Sequence, residues 1–251
     1  MEGAGSSVIP MNILSTPNFN HGTQMASVAI ANNPNLNIVF VRIFGHTSKG
    51  QRQTTGINTL VNALNWVKQN KDKYKIVAVS ASQGATGPVI NKSSTSNYCS
   101  PTALDSVVSS LDSIGVPVFF PSGNSGANPK MNGKIEWPAC ISQSIAVGGI
   151  ESGPHLDKPQ ISLTSSYDAN LVDLWGEIGS NVSLPGNVSG YAYGTSVSAQ
   201  VIASKYVYLK MAKPTLTSSQ IISLMKSSSA PIDNTFGQKV YLFNLSKAIN
   251  G

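Results

Sequence analysis

The sequence predicts an α/β fold of three layers: a mostly parallel sheet with helices on both faces. Two observations carry that prediction. Continuous apolar, β-branched runs alternate along the chain with stripes of apolar residues at helical spacing, the mark of strand–helix–strand units. The runs are unbroken rather than alternating, as strands covered on both sides require. With 251 residues, 41% of them hydrophobic, the chain is long enough to bury a core and too apolar for disorder.

In chain order, Leu36 to Phe44 (LNIVFVRIF) reads as the first buried strand. Ile57, Leu60, Val61, Leu64 and Val67 then form a helical stripe, with Thr54 or Thr55 available as N-cap. Tyr74 to Ser80 (YKIVAVS) reads as a second strand. Leu104, Val107, Val108, Leu111 and Ile114 make another stripe, stopped by Gly115. Val116 to Phe120 and Gln143 to Gly148 read as further strands, and Thr195 to Met211 as a long helix. Thr217 with Gln220 forms a capping box for a last helix carrying Ile221, Ile222 and Leu224. In such a sheet, ligands sit at the carboxyl ends of the strands, so functional residues are expected just after strands and at helix N-termini.

Charge and cysteine usage exclude several function classes. Charged residues make up only 11% and the net charge is +6. The densest basic cluster, Lys68, Lys71, Lys73 and Lys75, reads as a solvated helix end, and the two arginines form no stripe with aromatics, so nucleic acid is not the expected partner. No apolar run is long enough to span a membrane, and Met1-Glu2-Gly3-Ala4-Gly5 has no signal-peptide pattern. The scattered histidines and the lack of a CxxC pair argue against zinc, and neither a metal nor another cofactor is expected. Cys99 and Cys140 are either two buried thiols or one disulfide. The disulfide, the reading carried forward, would close a loop of about 40 residues and contribute roughly 4 kcal/mol by chain entropy.

Three short motifs fall where ligands are expected. His21-Gly22-Thr23 opens a helix continuing as QMASVAIAN, Ser122-Gly123-Asn124-Ser125-Gly126 follows the strand VPVFF, and Gly194-Thr195-Ser196-Val197-Ser198-Ala199 begins the long helix. Taken singly, each is a polar cap, a turn or an N-cap serine. Together they supply a nucleophile, a base and an oxyanion donor. Ser196 at a helix N-terminus gains from the local positive potential, His21 can take its proton, and Asn124 can donate to an oxyanion alongside the Ser196 N–H. Acyl transfer needs that set.

On these residues the chain resembles the subtilisin-like serine peptidases. HGTQMASV matches their histidine block, SGNSG their oxyanion block and GTSVSA their serine block, in the same order. The resemblance runs from about residue 21 to about 230. It implies that Ser82, Gln83 and Gly84 form a segment whose backbone pairs with a substrate strand. The loop around Gly50 would line the other side of that strand, and Ser122 and Gly123 would help wall the first pocket. It also matches the stretch WPAC–ISQSIAVGG to the strand after the oxyanion loop.

The departures shape the expectation. Gln200 stands where the family's serine block continues with proline, and the chain lacks the inserted loop that holds a calcium in many relatives. The family's Asp-Ser/Thr-Gly block has no counterpart before His21, where Glu2 is the only acid and has no strand to hold it. The expectation is therefore an N-terminally incomplete subtilisin-like fold, with a lead-in at 1–20 and one peptidase domain at 21–251. This chain alone is expected to be inactive, and an upstream extension of about 20–60 residues ending a strand in Asp to restore it, since the histidine's second N–H needs an acceptor. The implied function is a secreted serine endopeptidase with Ser196 as nucleophile, His21 as general base and Asn124 in the oxyanion hole. It would act on polypeptide substrates, with an N-terminal propeptide as a further partner. The alternative is a non-catalytic relative or fragment that binds peptide strands or is purely structural. An α/β-hydrolase esterase fits poorly, because Ser196 is not in a G-x-S-x-G elbow and the histidine comes first.

Overall fold

The computed structural model describes residues 17–45, 56–84, 102–127, 134–232 apart from 154, 155, 157, 169, 185 and 187, and 240–250. In chain order its elements are α1 (Pro17–Asn32), α2 (Ile57–Tyr74), β1 (Val79–Ser80), α3 (Ala103–Ser113), β2 (Val118–Pro121), β3 (Ile145–Glu151), β4 (Gln160–Ile161) and β5 (Leu174–Glu177). There follow β6 (Gly179–Leu184), β7 (Val188–Tyr193), α4 (Thr195–Ala212), α5 (Ser218–Ser227), β8 (Ala230–Ile232), β9 (Val240–Leu242) and α6 (Leu245–Asn250).

The main sheet has the order β1-β2-β3-β5-β9-β8. β1, β2, β3, β5 and β9 are parallel, while β8 pairs antiparallel with β9 and β4 antiparallel with β3. Successive side chains of a strand point to opposite faces, and here they feed two different cores. Val118, Phe120, Ala146 and Trp175 pack with Leu60, Leu64 and Val67 of α2 and with Leu104, Val107, Val108 and Leu111 of α3. Phe119, Val147 and Leu174 pack with Ile202, Tyr206 and Leu209 of α4 and with Ile221 and Met225 of α5. The expected three-layer arrangement follows from this alternation. A separate two-stranded sheet, β6 with β7, lies against α1, where Met25 and Val28 meet Val182, Ala192, Val197 and Val201.

Local signals fix several boundaries. Thr102 and Asp105 close a capping box on α3, and Thr217 and Gln220 close the expected one on α5. Gly115 ends the α3 region at φ +78°, a conformation that favours glycine.

Four expectations need correction. The apolar run Leu36 to Phe44 is not a strand: no pairing is assigned to 36–45, and Ile38, Val39, Phe40 and Val41 are 38–62% exposed. β-branched composition makes a strand only where a neighbour completes its hydrogen bonds, and among the described residues none does. The strand expected at 74–80 shrinks to Val79–Ser80. α2 instead runs through Tyr74 and ends on Lys75 in the left-handed region, and pairing starts only at the register Val79–Val118. The N-cap of α2 is Gly56 rather than a threonine, Thr54 and Thr55 lying outside the described residues. His21 does not open its helix, since α1 begins at Pro17. A proline at the first helical position forfeits no intrahelical bond, so it is a natural starting point.

Candidate active site

The sheet delivers three segments to one edge. β1 ends at Ser80 and the chain continues through Ser82, Gln83 and Gly84; β2 ends at Pro121 and continues through Ser122, Gly123 and Asn124. α4 starts between them, with Ser196 as its second residue.

Asn124 and the start of α4 are locked together by hydrogen bonds. Asn124 Oδ1 accepts from the Thr195 backbone N–H at 2.9 Å and from Thr195 Oγ1 at 3.0 Å. Thr195 is fully buried, and its hydroxyl also accepts from the Gly123 N–H at 3.2 Å. Of the two ends of the side-chain amide, only the oxygen can accept from a backbone N–H, so these bonds settle which way the Asn124 amide faces. Its Nδ2 is the remaining end, with no acceptor among the described residues, on an exposed residue. The close approach depends on Gly194 at φ +135°, where a Cβ would sit 3.2 Å from Asn124 Oδ1.

Ser196 is half-buried in the first turn of α4, where backbone N–H groups have no intrahelical acceptor and the helix end is electropositive. Its carbonyl accepts from Ser82 Oγ at 3.0 Å, and Gln200 Nε2 donates to that same Ser82 oxygen at 3.0 Å. Gln200, the departure from the family's proline, therefore leaves the helix unbroken and ties its first turn to the end of β1.

His21 stands on α1 with an exposed side chain, one helical turn before Met25, on the face that packs toward Val197 and Val201. Phe40 lies against α1 beside it: a Cβ on Gly22 would lie 2.5 Å from the Phe40 ring. The Ser196 hydroxyl makes no hydrogen bond among the described residues. The geometry thus joins Asn124 to the serine helix and places His21 on the neighbouring helix, without a bond between His21 and Ser196. Gly50 and Cys99 lie outside the described residues; Cys140 is buried at 7% exposure. No group of three or more metal-ligating side chains occurs among the described residues.

One residue of the site was not anticipated. Glu136 is only 9% exposed, and its backbone N–H donates to the Ser122 carbonyl at 2.7 Å. Its Oε1 accepts from the Asn124 N–H at 3.0 Å, from Ser125 Oγ at 2.7 Å and from Ser166 Oγ at 3.3 Å. Nothing local in KIEWPAC marks it, because its partners come from two other loops.

Comparison with known proteins bears on the family and the fold. A model described as the Subtilase family matches residues 11–242. Subtilisin DY of Bacillus licheniformis is 24% identical over 97% of this chain and 82% of its own length. Alkaline elastase YaB of Bacillus sp. (strain YaB) is 25% identical over 92% of this chain, which spans only 55% of that relative, and subtilisin E of Bacillus subtilis gives the same 55%. The structure of a cold-adapted subtilisin-like serine proteinase superposes with a TM-score of 0.67 at 23% identity, covering 88% of this chain and 73% of that one. A lanthipeptide protease follows at 0.65 and 16%, covering 92% and 75%. At such identities the structures speak to the fold, and the family match contains all three motif blocks and the sheet that positions them: the chain belongs to the Subtilase family.

Proposed function

We propose that the protein is a secreted serine endopeptidase working through an acyl-enzyme. The observation that carries this reading is the Asn124 amide, held by Thr195 so that its NH₂ end is left for an incoming oxygen beside the N–H groups of α4. In the proposed reaction Ser196 Oγ attacks the peptide carbonyl carbon while His21 takes its proton. The oxyanion accepts from Asn124 Nδ2 and the Ser196 N–H. Collapse breaks the C–N bond, and the His21 imidazolium gives its proton to the leaving amine. Water, activated by His21, then attacks the ester and restores Ser196. The backbone of Ser82 to Gly84 pairs with the substrate on one side and the Gly50 loop lines the other, while Ser122 and Gly123 wall the first pocket.

The second N–H of His21 needs an acceptor to fix its tautomer. The propeptide and the Cys99–Cys140 disulfide belong to the same reading. Among the described residues no helix is long and apolar enough to cross a membrane. The test is hydrolysis of casein by the protein and its variants. Wild type should cleave, and Ser196→Ala and His21→Ala should each lose at least about 10³-fold in turnover. Equal rates in all three would leave only the peptide-binding reading.

A further inference from the structure

We infer that Glu136 determines specificity in the peptidase site proposed above, selecting substrates with a lysine or arginine on the acyl side of the cleaved bond. The inference rests on that proposed site for the path of the substrate and on Glu136's own surroundings for the chemistry.

The carboxylate lies between segment 82–84 and segment 122–123, which the proposed site takes as the two walls of the first pocket. A Cβ on Gly123 would fall 2.3 Å from Glu136 Cδ, and a Cβ on Gly84 would fall 3.3 Å from Glu136 Oε2. Both walls carry glycine where the carboxylate comes closest, and the Ser122 carbonyl holds the Glu136 backbone in place. The group is therefore built into the gap that a substrate side chain would enter.

Its two oxygens differ. Oε1 accepts three hydrogen bonds, from the Asn124 N–H, Ser125 Oγ and Ser166 Oγ. Oε2 accepts none among the described residues, and no lysine or arginine there lies within ion-pair distance of Glu136. The neighbouring buried hydroxyls are committed elsewhere: Ser122 Oγ donates to the Ser166 carbonyl at 2.6 Å, and Ser165 Oγ donates to that carbonyl at 3.1 Å. Oε2 is not enclosed without a partner, so solvent reaches it in the free protein, and a group that displaces this solvent must itself supply donors to a charged oxygen. An ammonium or guanidinium group brings both the charge and the N–H donors. An apolar side chain in the same gap would cover Oε2 and leave it unpaired, so the site would select a base and also reject a hydrocarbon.

A purely structural role, bracing the loop around Asn124, would use Oε1 alone. Glu136→Gln keeps that acceptor and the side-chain shape, and replaces the charged Oε2 with a neutral NH₂ donor. The experiment measures kcat/KM for chromogenic peptides differing only in the residue before the scissile bond (Arg, Lys, Leu or Phe). Benzamidine binding by titration calorimetry serves as a cation probe that needs no catalysis. Wild type should prefer Arg and Lys by about 10²–10³-fold and bind benzamidine; Glu136→Gln should bring the preference within about tenfold and abolish that binding. Leu or Phe peptides cleaved as well as Arg peptides by the wild type would overturn the inference and leave the peptidase reading standing. A basic preference unchanged in Glu136→Gln would do the same. Glu136-dependent benzamidine binding by a protein that cleaves no peptide would support the cation site and overturn the peptidase reading.

Discussion

Removing the Asn124 side chain should separate a structural bond from a catalytic one. Asn124→Ala deletes the acceptor used twice by the buried Thr195 and also the Nδ2 donor. Two hydrogen bonds at a net ~1 kcal/mol each set the scale. Because Asn124 is exposed and water can replace part of the loss, stability should fall by about 1–2 kcal/mol. Asn124→Asp keeps the acceptor and places a charge at the N-terminus of α4, which offsets any loss by about 0.3–1 kcal/mol, so its stability should stay near wild type. Turnover should drop in both variants, with KM little changed, because the oxyanion bond forms in the transition state. The scale, about 10²–10³-fold, is that measured for an oxyanion-hole asparagine in a subtilisin itself and is not an independent forecast. Urea denaturation midpoints and initial rates on a chromogenic peptide read out the two effects. Full turnover in Asn124→Asp would refute the donor role, and a stability loss in Asn124→Ala with unchanged turnover would reduce Asn124 to a strut.

Other outcomes follow from the same geometry. Tyr206 is fully buried, and burial pushes its phenol up to about 12 from 10.0, with the Ser218 hydroxyl opposing the shift. The protonated form is favoured in the folded state, so this contribution is intact below pH 10 and is lost as pH rises toward about 12, at roughly 1.4 kcal/mol per pH unit. Tyr206→Phe should be as stable as wild type at neutral pH and lose less stability over that alkaline window, as followed by urea midpoints. Gln200→Leu removes the bond to Ser82 and should cost about 1 kcal/mol, with a smaller fall in kcat than Asn124→Ala; an equal fall would make Gln200 as important as the oxyanion donor. The intact mass of the secreted protein should show thiol alkylation only after reduction, and two freely alkylated cysteines would dismiss the Cys99–Cys140 disulfide.

Legibility from sequence tracked how local the physics was. The stripe Leu104, Val107, Val108 and Leu111, the glycine stop at 115 and the Thr217–Gln220 box each depend on neighbours in the chain, and each appears in the structure. The run 36–44 reads as a strand from composition alone, yet a strand is a pairing, and composition says nothing about whether a partner lies beside it. The β6–β7 hairpin was overlooked although Pro185-Gly186 is a turn signal, since only Val182 and Ala192 of its residues are buried and the apolar pattern is weak. Within the site, Asn124 and Ser196 were visible as motif residues, whereas Thr195 as their link and Gln200 as a tether required the fold. Glu136 was invisible for the same reason: Ser122, Asn124, Ser125 and Ser166 meet it only after the sheet has formed.

The central claim is that the hydroxyl at the start of α4 is an activated nucleophile. The most direct measurement is treatment of the protein with a fluorophosphonate, followed by peptide mapping of the adduct. The account predicts one covalent phosphonyl group, on Ser196, absent in Ser196→Ala and strongly slowed in Asn124→Ala. Undiminished labelling of Ser196→Ala, or an adduct mapped to another serine, would contradict it.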